Sequence, residues 1–265
     1  MFDYTYIFGI MDLVLPLVVL SVIYLISNRI VLANRHKRPE YKYFIPGLFY
    51  KILFALALCF IYVFYYNGGD TIGYFEESTN LIRLAYKHPW KAIEIWLGGT
   101  TPENRSYFDS STGFPSSYWW DPHAYFVVRF IAPLTFITGQ SYLTTTILLA
   151  WICYSGIWKV YLVFTEAFPS QSKNLAIAIL FVPSVAFWGS GILKDTITLS
   201  AIFWFTYGIY LTVSKKGKTI LDPFYGITYI IIGSILIMSL KPYLIYPLIL
   251  GMAYIVMHQY TAQIR

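Results

Sequence analysis

Apolar runs of bilayer length recur along this chain, and no other feature restricts its fold as strongly. They cover residues 6–27, 46–66, 142–163, 175–190, 196–213, 223–240 and 244–259. As helices, runs of about 20 residues cross a hydrocarbon layer of about 30 Å. None shows the two-residue alternation that a lipid-facing barrel strand needs. The expectation is an all-α fold: a polytopic helical bundle in a lipid bilayer, with about seven transmembrane helices. Charge content agrees, since only 12% of the residues are charged, against about 25% in soluble domains. No repeat of intermediate period and no second composition regime divides residues 1–265, so a single transmembrane domain is expected.

The formal charge of +6 does not describe a nucleic-acid footprint, because the basic residues gather between apolar runs. Arg29, Arg35, Lys37, Arg38 and Lys42 form one cluster, and Lys215, Lys216 and Lys218 another. Such clusters mark the cytoplasmic side of a membrane. Asp3 stands where a signal peptide would be basic, and no small-residue cleavage site closes the first run. That run therefore reads as a retained helix starting outside. Asp12 within it is expected to face the bundle or the near interface. Residues 124–138 are ambiguous, being short for a span and carrying Arg129 and Pro133. If they crossed, Lys215 to Lys218 would emerge outside; if they lie in the outer interface, those lysines fall inside, as the charge rule requires. The second arrangement is the expected one, with the C-terminus inside. Ending just past its last apolar run, the chain also fits the front part of a longer protein.

This topology makes residues 67–123 a large extracytoplasmic loop. Residues 76–87 and 90–97 suit two short helices lying on the membrane surface, with Pro89 in a first turn and Trp90 and Trp96 at headgroup level. Residues 98–117 are turn-rich. Asp121 and Pro122 suit an N-cap and a first helical residue.

The same face collects the chemistry-bearing side chains. Asp70 is the first acid after an apolar run leaves the membrane, which makes it the candidate catalytic group. Glu76, Glu77 and Asp195 are further carboxylates; Arg129, Lys194 and Lys241 are cations; Tyr74, Trp119, Trp120 and Tyr125 are rings, with His123 beside them. Sugar transfer from a lipid carrier uses this set. A carboxylate takes the proton of an attacking hydroxyl, cations hold a phosphate leaving group as charge grows on it, and flat rings offer sugars apolar contact.

Three stretches resemble the GT-C membrane glycosyltransferases, and among them the bacterial polysaccharide-assembly members. They are Gly69-Asp70-Thr71-Ile72-Gly73-Tyr74, residues 133–141 before the next span, and residues 181–195, which carry Pro183-Ser184, Phe187-Trp188 and Lys194-Asp195. The resemblance implies a polyprenyl-phosphate-linked sugar donor, a glycan or lipid-linked acceptor, Asp70 as catalytic acid, and a donor-phosphate or structural role for Lys194 and Asp195. It implies a bacterial inner membrane with the site facing outside the cytoplasm. Arg129, Lys241 and His123 are candidates by position alone. The chain is shorter than many members and lacks an Asp-X-Asp pair in its outer loop, which leaves dependence on a divalent cation open.

Plainer roles stand beside these. Asp70 also suits the cap of a helix beginning near Thr71, and Asp195 the cap of the next span, with Lys194 reaching for headgroups. Trp119 and Trp120 also suit interface anchors. The four histidines are too scattered to read as a ligand set. Two rival functions share the composition: a polymerase joining lipid-linked repeat units, and a transporter or non-catalytic membrane subunit. A transporter is expected to carry charges near mid-membrane on broken helices, whereas the charges read here sit at helix ends.

Overall fold

A computed structural model describes residues 8–9, 11–213 and 222–264. Those residues form twelve α-helices with short 3₁₀ or π turns and no strand. They are α1 (Met11–Asn34), α2 (Phe44–Phe60), α3 (Asp70–Lys87), α4 (Pro89–Leu97), α5 (Pro102–Arg105) and α6 (Pro122–Ile137), then α7 (Tyr142–Ala167), α8 (Ser172–Leu180), α9 (Pro183–Trp188), α10 (Lys194–Val213), α11 (Asp222–Leu240) and α12 (Ile245–Ile264). Five helical stretches are long and apolar enough to cross a membrane: Asp12–Asn34, Pro39–Tyr66, Tyr142–Ala167, Lys194–Val213 and Asp222–Leu240. Lys215, Lys216 and Lys218, on which the sidedness argument leaned, lie outside the described residues.

The run 175–190 differs from expectation. It is two short helices, α8 and α9, separated at Phe181 and Val182. Pro183 supplies the reason: it cannot donate to the preceding turn and it disfavours helical backbone at Val182, which is extended with φ −74° and ψ 115°. Side-chain contacts nevertheless show the direction of this stretch. Ser200 Oγ donates to the Cys153 carbonyl at 2.7 Å, and Trp204 Nε1 donates to Ser155 Oγ at 3.0 Å. Farther along both helices, the Tyr210 phenol donates to Glu166. Numbers rise together, so α7 and α10 run parallel, and residues 168–193 must return from one end of the bundle to the other.

The remaining helices sort by the same logic. Tyr154 bonds the Phe44 carbonyl at 2.9 Å while Cys59 bonds Thr146 at 3.3 Å, so α2 is antiparallel to α7. Asp12, buried, accepts from Ser141 Oγ at 2.6 Å and the Leu143 N–H at 3.1 Å, which ties the start of α1 to the start of α7. α10 and α11 pack antiparallel through glycines, Gly208 against Gly226 and Gly233 against Ala201. One end of the bundle therefore holds residues 67–141, the start of α10 and the end of α11. The other holds Arg38 paired with Glu166 at 3.1 Å.

At the first end, α2 continues as one π-helical turn, Ile61–Tyr66, and then stops. Asn67, Gly68 and Gly69 have φ of 50°, 136° and 103°, a positive-φ run that two glycines adopt without strain and that asparagine enters more readily than most residues. The chain turns at once into α3, which begins at Asp70 and not at residue 76 as the surface-helix expectation had it. α3 is also more deeply packed than a surface helix: Ile72, Tyr74, Phe75, Leu81 and Leu84 join the core with Tyr125, Val128 and Ile131 of α6. The 98–117 loop is clamped onto it by Lys87 with Asp109 at 2.9 Å and by Glu77 with the Ser116 N–H. α6 starts where the sequence indicates, with Asp121 Oδ1 accepting from the His123 N–H at 2.9 Å and Pro122 in the first turn.

Candidate functional site

Asp70 occupies the first turn of α3, where the positive end of the helix dipole favours a carboxylate. It is not the cap, since Gly69 holds that position. Its side chain is exposed, and Oδ1 accepts the Tyr118 phenol at 2.7 Å. Burial and then this bond to Asp70 push the Tyr118 hydroxyl well above its ordinary range, so Tyr118 stays protonated and donates. The Tyr118 ring leans on Tyr74 with centroids 4.7 Å apart.

Tyr74 is the hub. Its side chain is buried, and its hydroxyl is pushed upward first by burial, then by the nearby carboxylates of Asp70, Asp121 and Asp195. One acid of the same helix and two remote in sequence thus act on one phenol. Each of the last two is matched with a lysine. Lys194 Nζ lies 3.0 Å from Asp121 Oδ2, and Lys241 is paired with Asp195. Burial opposes ionisation of Asp121, but the Lys194 bond and the N–H groups of Ala124 and His123 outweigh it and hold the carboxyl below its usual range. One carboxylate therefore does two jobs, Oδ1 capping α6 and Oδ2 holding the start of α10. Asp195 is the second residue of α10, not its cap. His123 Nδ1 lies 2.8 Å from the Ser239 carbonyl, joining α6 to the end of α11.

Asp70, Tyr74, His123, Lys194, Asp195 and Lys241 are thus brought to one end of the bundle. Three other candidates lie at the same end but make different contacts. Trp119 is 1% exposed, wedged edge-on between Phe108 and Tyr125, which leaves it no face for a ligand or for headgroups. Trp120 is 55% exposed beneath the Arg105 guanidinium, 5.6 Å from its ring. Arg129 turns toward the loop after α4, with Nη2 3.4 Å from Thr100 and its guanidinium 5.4 Å from the Tyr125 ring.

Two hollows flank the cluster. One, of about 280 Å³, lies between α9, α10 and the turn after α11, with Asp195, Lys241, Thr198 and Tyr243 on a wall that also includes Val185 and Trp188. The other, of about 300 Å³, lies between α3 and the 113–118 loop, with Tyr118 as a shared wall. Among the described residues no three His, Cys, Asp or Glu side chains stand close enough together to hold a metal ion.

Lys51 was not among the expected residues. It sits inside α2, 3% exposed, donating to the Gly189 carbonyl and lying 3.4 Å from Ser190 Oγ, just past the end of α9. A lysine alone in the run 46–66 was the visible signal. Charges therefore do not all keep to helix ends: Lys51 lies within a helix long and apolar enough to cross a membrane, against the end of α9. Compared with known proteins, the chain matches no family model, no curated protein and no solved structure.

Proposed function

We propose that the chain is a membrane glycosyltransferase of GT-C type, moving a sugar from a polyprenyl-phosphate-linked donor to a glycan or lipid-linked acceptor. The observation that carries the reading is that Asp70 shares one end of the bundle with the Lys194–Asp121 and Lys241–Asp195 pairs, the three carboxylates all acting on the Tyr74 phenol. In the proposed step Asp70 takes the proton of an acceptor hydroxyl through Oδ2, the oxygen that Tyr118 leaves unused. The acceptor oxygen bonds to the anomeric carbon, and the bond from that carbon to the phosphate oxygen breaks with its electron pair on the phosphate. Direct displacement inverts the anomeric centre. An ammonium carries three N–H donors, so Lys194 can keep Asp121 and still receive the departing phosphate. Tyr118 orients the carboxylate.

On this reading the bundle crosses a bacterial inner membrane about seven times, with α8–α9 and α12 supplying the crossings beyond the five long apolar helices. The site faces outside the cytoplasm. A cysteine placed at Ser110, exposed in the loop between α5 and α6, is then expected to react with an impermeant maleimide on intact cells. Labelling only after permeabilisation would reverse the orientation.

Lys194→Ala is the direct test of the phosphate contact. The donor KM is expected to rise roughly tenfold, the loss of one charge-assisted hydrogen bond, in protein reconstituted with extracted polyprenyl-phosphate sugars. An unchanged KM returns Lys194 to holding Asp121. A second reading, transport, is favoured by Lys51 buried against the end of α9. The product separates the readings, since transport moves a solute into vesicles without making a glycosidic bond. A polymerase would join whole repeat units where a transferase adds one sugar.

A further inference from the structure

The cavity between α3 and the 113–118 loop has a composition unlike the rest of the bundle. Glu76, Glu77, Asn80, Ser117, Tyr118 and Phe114 line it, and its volume is about 300 Å³. That is the lower end of small-molecule sites, enough for one ring and not for a chain. Two carboxylates and no cation on its wall disfavour phosphate, nucleotide or acidic sugars. The polar groups disfavour a lipid tail. Alcohol groups suit it: hydroxyls donate to carboxylates and exchange hydrogen bonds with amide and serine groups. The ring faces of Tyr118 and Phe114 match the C–H faces of a pyranose.

Glu77 makes this a built site. It is only 3% exposed, its Oε1 accepts the Ser116 N–H, and its Oε2 has no hydrogen-bond partner. Burial pushes its carboxyl above the usual range. A fold gains nothing by burying a half-satisfied acid, because the unmet oxygen carries its desolvation cost. The loop is closed over it even so. Gly73 lets the Tyr118 ring lie against α3, since a Cβ there would fall 2.6 Å from that ring. The far tip of the same ring holds Asp70 at 2.7 Å.

We propose that this cavity binds one neutral pyranose ring, with Glu77 accepting its hydroxyls and Tyr118 and Phe114 framing it. Its place beside Asp70 makes it the acceptor subsite; that role rests on the glycosyl-transfer reading, while the binding itself does not.

The experiment is saturation-transfer NMR on the whole chain in a detergent without a sugar headgroup. The probes are the methyl pyranosides of glucose, galactose, mannose and N-acetylglucosamine. At least one is expected to receive saturation. Glu77→Gln is expected to weaken that probe roughly tenfold, one charge-assisted hydrogen bond, with an equal or higher Tm because the buried charge is gone. Ser117→Trp, at an exposed wall position, is expected to abolish it by filling the cavity. No saturation of any probe, or equal saturation in both variants, overturns the proposal. Probe binding lost in both variants without transferase activity in the wild type keeps the sugar site and removes the transfer reading. Transfer at wild-type rate in Ser117→Trp does the opposite.

Discussion

Asp70→Asn is expected to lower sugar transfer about 10²–10⁴-fold, the usual contribution of a positioned general base. The folded state should be nearly indifferent to the change. Asp70 is exposed, it is not a helix cap, and the asparagine carbonyl can still accept the Tyr118 phenol. What the amide lacks is an oxygen able to take a proton. The effect should therefore fall on kcat, with donor KM and Tm close to wild type, in proteoliposomes supplied with donor and acceptor. Wild-type turnover in the asparagine variant would remove Asp70 from the chemistry.

The second large effect concerns packing. At Gly208 an added Cβ would lie 2.6 Å from the Gly226 carbonyl oxygen and 2.8 Å from the Ile230 nitrogen. These are backbone atoms of α11, which cannot swing aside as a side chain can, so Gly208→Leu has to push two helices apart. Small residues let membrane helices approach this closely, and dispersion between them then replaces a hydrophobic driving force that lipid does not supply. The expected cost is at the upper end of the overpacking range, about 3 kcal/mol. It should appear as lost monodisperse protein and a lowered Tm, with Gly208→Ala milder in both. The damage should also reach the site, because α11 carries the Ser239 carbonyl that meets His123 and leads directly into Lys241. A leucine variant as stable as wild type would show that this close approach does not hold in the membrane.

Much of the framework is legible in the residue order. Run length identifies α1, α2, α7, α10 and α11 as spanning helices, because lipid enforces one arithmetic on every crossing. Local chemistry identifies the start of α6, where Asp121 and Pro122 serve as expected. The break between α8 and α9 was also present in the sequence as Pro183, though mean hydropathy over 175–190 hides it. The start and depth of α3 are not legible in the same way, because its first turn, Asp70 to Gly73, is polar and glycine-containing, while its buried face includes Thr71, Glu77 and Ser78, which no apolar stripe announces.

Partner choice is where the two levels separate. The order of residues alone determined that this chain is an assembly of apolar helices, and that Asp70, Lys194, Asp195 and Lys241 stand at helix boundaries, since both follow from spacing along one strand of covalent bonds. Only the tertiary structure decided that Lys194 meets Asp121, that Lys241 meets Asp195, that the carboxylates of Asp121 and Asp195 act on the Tyr74 phenol, that Trp119 is enclosed by Phe108 and Tyr125, and that Arg129 meets Thr100. The two lysine pairings join residues tens of positions apart. They depend on how far α10 and α11 approach each other and on how the 98–117 loop folds onto α3, distances that no local pattern encodes.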